Sequence, residues 1–218
     1  MKSTVLLSAF AAAILLGAAA PPQTPEQEWK AGIADANVAW AKRPHAILKI
    51  QDSAYLHDGD TAVLQGTVGK PGSYHWSHDP KASGVLTVAL QGGKISAMKG
   101  GKAIDTATLM KSIPIDKDVD VEGQPTQVDA GVMGWRIFVF NQKNPDALNF
   151  KGVSYFPYDP AYRVTASFKP DPKRPAHVFR TSRGTDKQFY LVGEATFSLQ
   201  GKAITLPFYS GDNDPKKI

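Results

Sequence analysis

From Ala46 onward, strand-forming residues come only in short runs, each closed by Gly, Pro, Asn or Asp. Short strands divided by turn residues argue for antiparallel pairing. Eleven runs qualify: 47–50, 61–65, 85–90, 94–98, 119–121, 136–140, 162–168, 177–181, 188–193, 195–199 and 202–208. Two pairs read as hairpins: 86–90 with 94–96 across Gly92-Gly93, and 196–200 with 202–208 across Gly201. No strand–helix alternation and no fixed-period repeat is visible. The predicted fold is mainly β: antiparallel sandwich or partly open barrel units with one N-terminal amphipathic helix.

That helix is predicted over 25–42. Thr24 stands as its cap, Pro25 at its first position and acids in its first turn, and Lys42-Arg43-Pro44 closes it. Trp29, Ile33, Ala36 and Trp40 recur at helical spacing, and both tryptophans are expected to pack on the domain. Ahead of it, Lys2, an apolar run over 5–16 broken only by Ser8, and Gly17 to Ala20 have the three parts of a secretory signal peptide. A spanning helix needs about 20 apolar residues. Cleavage is expected after Ala19, with an uncleaved anchor as the less favoured alternative, and the mature protein is expected to be periplasmic or secreted. The chain divides into a signal peptide (1–19), a Pro-rich leader and helix (20–44), an N-terminal β unit (45–145) and a C-terminal β unit (146–218).

Composition removes several functions. The chain has 218 residues and no cysteine, so disulfide scaffolds, thiolate zinc sites, cysteine nucleophiles and a lipidated N-terminal cysteine are excluded. With 42% hydrophobic and 21% charged residues it is not a disordered chain. The net charge of +5 is scattered among aspartates, without the clustering of a nucleic-acid footprint. No nucleic-acid partner is expected.

Catalytic patterns are weak. The chain lacks a Gly-x-Ser-x-Gly elbow, a phosphate loop and a His-Glu-x-x-His pair. Tyr74-His75-Trp76-Ser77-His78-Asp79 holds two imidazoles, but in a strand they face opposite sides, so no metal is expected and the histidines read as loop residues near an exposed tryptophan. His57-Asp58-Gly59-Asp60 reads as a hairpin turn, since the rest of a calcium loop is missing. Asp116, Asp118, Asp120 and Glu122 alternate on one face and read as a solvated edge. No catalytic residue or cofactor is assigned. Between Phe150 and Val164, however, lie five aromatics around a Pro-Tyr-Asp-Pro turn. An aromatic mini-core at a sheet corner is one reading; a ligand platform using Tyr155, Tyr158 and Arg163 is the other. Arg163 is expected to face opposite to Tyr162 on the following strand.

The stretch Phe150-Lys151-Gly152-Val153-Ser154-Tyr155-Phe156-Pro157-Tyr158-Asp159-Pro160-Ala161-Tyr162-Arg163-Val164-Thr165-Ala166-Ser167-Phe168 resembles the signature of the bacterial domain of unknown function 1684 family. Val192-Gly193-Glu194-Ala195-Thr196-Phe197-Ser198-Leu199-Gln200-Gly201-Lys202 resembles that family's next hairpin. The resemblance implies an exported, largely β protein without an assigned activity, whose members continue further, so the C-terminal unit is expected to be incomplete. Val119-Asp120-Val121-Glu122-Gly123-Gln124-Pro125 resembles the strand–turn–strand of forkhead-associated-like sandwiches, but the phosphothreonine-reading Arg and Ser have no counterpart. The expected function is a non-catalytic periplasmic or envelope binding module for a small molecule or envelope component. The alternative is a hydrolase acting on envelope carbohydrate or peptide.

Overall fold

The computed structural model describes residues 23–182 and 184–214; the expected signal peptide lies outside the described residues. The first element is α1 (Pro25–Ala41), opened by a reciprocal cap. Thr24 Oγ1 accepts from the Gln27 amide at 3.3 Å, and Gln27 Oε1 accepts from the Thr24 amide at 2.8 Å. Only Ala41 of this helix is buried. Trp29 is half-buried, with its ring against Tyr158, and Trp40 is 40% exposed. No described helix is long and apolar enough to cross a membrane.

Two antiparallel sheets follow. One has the order β1-β9-β8-β7, from β1 (Ile50–Leu56), β9 (Val132–Asn141), β8 (Val119–Asp129) and β7 (Ile113–Asp116). The other has the order β3-β2-β4-β5-β6, from β3 (His75–Ser77), β2 (Thr61–Gln65), β4 (Leu86–Gln91), β5 (Lys94–Lys99) and β6 (Lys102–Ile104). Alternate residues of each sheet point inward: Ala54 and Leu56, Val119 and Val121, and Ile137 and Val139 meet Leu64, Leu86, Val88 and Leu90 in one shared core. The short helix α2 (Thr106–Leu109), capped by Asp105, adds Leu109 to that core, and α3 (Pro145–Leu148) follows β9.

A third sheet is built on β12 (Asp186–Leu199), one continuous strand where the sequence reads as two. β10 (Ser167–Pro170) and β11 (Ala176–Arg180) pair with successive stretches of β12, and β13 (Lys202–Ser210) also pairs with it. At Gly193 a Cβ would stand 2.4 Å from the Lys169 carbonyl and 2.6 Å from the Phe168 ring, so this close approach of β10 to β12 requires glycine. The sheet docks on the sandwich through reciprocal glutamines. Gln127 Nε2 donates to the Gln188 carbonyl at 3.1 Å, and the Gln188 amide donates to Gln127 Oε1 at 2.8 Å. Lys187 adds a bond to the Gln127 carbonyl and lies over the Tyr55 ring.

The architecture is mainly β and antiparallel, with no closed barrel among the described residues. Several details differ from the sequence reading. Residues 47–49 form a 3-10 turn, and 162–168 is strand only from Ser167. The turn at His57–Asp60 joins two different sheets and is not a hairpin. It is fixed from outside, since the Gly59 amide donates to the Leu90 carbonyl at 2.8 Å and the Gly93 amide to Asp58 Oδ1 at 3.0 Å. Trp76 is buried within β3, with its amide donating to Asp52 Oδ2 at 2.7 Å, so its neighbouring histidines do not flank an exposed tryptophan.

Candidate functional site

Between Tyr155 and Arg163 the backbone makes almost no regular pairing. Pro157 and Pro160 each lack an amide donor, which keeps the segment out of a sheet ladder. A local turn shapes it instead. Asp159 Oδ1 accepts from the Ala161 amide at 2.8 Å, and the Arg163 amide donates to the Pro160 carbonyl at 3.0 Å. This 3-10 turn, Pro160–Tyr162, brings Tyr162 and Arg163 to the same side, unlike the opposite faces expected of a strand.

Helix α1 lies against this segment. Asn37 Oδ1 accepts from the Val153 amide at 3.0 Å. Gly152 beside it has φ +98°, and a Cβ there would sit 3.4 Å from Asn37 Nδ2. Nearer the start of the helix, the Trp29 and Tyr158 rings meet at 6.0 Å with a 55° tilt. Together the two elements border an open cavity of about 950 Å³, at the upper end of the small-ligand range. The helix contributes Pro25, Glu28 and Trp29, and the segment contributes Tyr155, Phe156, Tyr158, Tyr162 and Arg163. Tyr155, Tyr158 and Arg163, the three binding residues expected from the sequence, therefore line one space. Trp29, on the other wall, is the residue that sequence reasoning assigned elsewhere; its helical spacing gave no sign of a partner so far along the chain.

The polar groups of the cavity carry both signs. Asp159 has one carboxylate oxygen committed to its turn. Among the described residues Arg163 has no ion pair and lies over no ring, and the Glu28 side chain has no partner. An unpaired guanidinium and an unpaired carboxylate on an aromatic wall are free to donate to and accept from a bound molecule.

A second constellation lies on the sandwich. Asp120 and Glu122 do share a face of β8, but they do not form a solvated edge. His45 sits between them, with Nε2 3.2 Å from Asp120 Oδ2 and Nδ1 2.5 Å from Glu122 Oε2. Its ring stacks on Phe140 at 4.6 Å. A neutral imidazole has one N–H and can donate to only one of these carboxylates, while imidazolium can donate to both. The alternating acids were the one visible signal; nothing adjacent in sequence pointed to His45. This group pins the link between α1 and β1 onto the sandwich. Asp116 is used differently: its carboxylate accepts from the Gly69 and Lys117 amides at 2.6 and 2.7 Å and from the Tyr74 hydroxyl at 3.2 Å.

Residues 148–218 match the model of a family described as a protein of unknown function, DUF1684. The C-terminal part of the chain is similar to DUF1684. No curated protein and no solved structure matches the chain. The segment wall of the cavity and the whole third sheet lie within the DUF1684 match, and helix α1 and the sandwich lie before it. The cavity thus lies where the matched region meets the N-terminal helix.

Proposed function

We propose that the protein is an exported, non-catalytic binding module of the bacterial envelope, and that the cavity between α1 and the DUF1684 segment is its ligand site. The observation that carries this reading is the convergence of Trp29 with Tyr155, Phe156, Tyr158 and Tyr162 around one space that also holds unpaired charge. Aromatic rings hold a ligand by area, and a few polar groups orient it. Export rests on the tripartite N-terminus, Lys2, 5–16 and Gly17 to Ala20.

The test has two parts. N-terminal sequencing of protein recovered from the periplasm or medium is expected to begin near Ala20; protein that is found in the cytoplasm and retains Met1 would overturn export. A thermal-shift screen of the mature protein against sugars, muropeptides, lipids and metals is expected to raise the melting temperature with at least one class. That rise should disappear in Tyr158→Ala. A hit that the protein converts to product would overturn the non-catalytic reading.

A further inference from the structure

The chemistry of the cavity narrows its ligand, granting the binding-module reading above. We infer that it takes a neutral oligosaccharide, whose sugar rings lie on the aromatic walls while hydroxyls bridge Glu28 and Arg163. Trp29 and Tyr158 are tilted by 55°, so they form a corner and do not cover one another's faces. Phe156 is 92% exposed, an unusual cost for a large apolar ring unless something lies against it. The C–H faces of a pyranose carry slight positive charge and suit the negative face of an aromatic ring.

Charge separates this ligand from the others an aromatic groove could take. An anionic polymer would meet Glu28 and Asp159, and a polycation would meet Arg163. An acyl chain would cover all three charged groups and leave them without hydrogen bonds, which is costly. A neutral polyol has donors for the carboxylates, acceptors for the guanidinium and both for the tyrosine hydroxyls. The volume of about 950 Å³ holds more than one sugar unit.

Isothermal titration of the mature protein with cellohexaose, laminarihexaose and the hexamer of N-acetylglucosamine tests this. At least one is expected to bind in the micromolar to low millimolar range. Trp29→Ala and Tyr158→Ala should each weaken it by at least about tenfold, and Trp29→Phe by far less, because ring area is kept. Unchanged melting of the sandwich in the variants shows that they remain folded. Absence of binding by all three hexamers, or binding indifferent to Trp29→Ala and Tyr158→Ala, overturns the inference. A proline decapeptide and laurate serve as competing probes. If either binds and is lost in Trp29→Ala while the hexamers fail, the saccharide is wrong and the ligand site stands; if no probe binds here or in the thermal-shift screen, both readings fall.

Discussion

Asp116 accepts three hydrogen bonds, and these decide its titration. The Gly69 amide first and then the Lys117 amide hold its carboxyl below the usual carboxylate range; burial opposes them, and the Tyr74 hydroxyl adds the smallest lowering effect. Because the folded value lies below the unfolded one, the ionised group contributes stability above the unfolded value, and that contribution is lost as pH falls through the folded one. Asp116→Asn is therefore expected to melt below the parent protein at neutral pH, with the gap closing on acidification through the carboxylate range. A gap equal at all pH values would show that Asp116 acts through packing alone. Tyr74 shifts in the other sense: burial, then the hydrogen bond and charge of Asp116, raise its phenol above the ordinary value of 10.0. Its neutral form contributes stability below that value, and the contribution is lost as pH rises through the folded one. Tyr74→Phe should flatten this alkaline loss.

Helix α1 is weakly embedded: its cap is complete, but only its Ala41 is buried. Its position depends on Asn37 and on the left-handed backbone of Gly152. An alanine there costs about 1–2 kcal/mol in that conformation. Gly152→Ala is expected to expose α1 to limited proteolysis while the main unfolding transition moves by no more than about that amount. A loss of several kcal/mol in the main transition would mean that α1 is part of the cooperative core. This element was legible in the sequence because Thr24, Pro25 and Gln27 act locally. So were β4 and β5, whose alternation is interrupted only by Gly92-Gly93. The three-residue strands β3 and β6 were not, since so few residues set up no period, and β7 hid its ladder behind Pro114. At the site, Tyr155, Tyr158 and Arg163 stood out as an aromatic cluster in one segment. Trp29 and His45 did not, because each meets its partners only after the sheets have formed.

Across the whole molecule, burial is uneven. The sandwich packs two sheets face to face, whereas β10 and β11 are exposed along their length, and β12 buries little beyond Val192, Gly193 and Ala195. Ile204, Leu206 and Phe208 pair opposite Phe197, Ala195 and Gly193 on one face, where Leu206 and Phe208 remain 46% and 47% exposed. Among the described residues no strand pairs with the outer edge of β13. Amides over 188–208 are accordingly expected to exchange with solvent faster than those over 85–98. Equal or stronger protection of 188–208 in a monomer would show that the third sheet is as stable as the sandwich.

The contact between Asn37 and Val153 joins residues 116 positions apart. On the ribosome α1 emerges long before the segment it docks on, and a free helix of 17 residues is marginal in water. The cavity is therefore assembled late, after the sandwich between its two walls has closed that long loop. Residues 148–218 expressed alone would carry one wall and no opposing one. An affinity tag fused directly ahead of Thr24 would enter beside Pro25, at the cavity itself, whereas β13 contributes no residue to the cavity lining, so a tag following it joins the chain elsewhere.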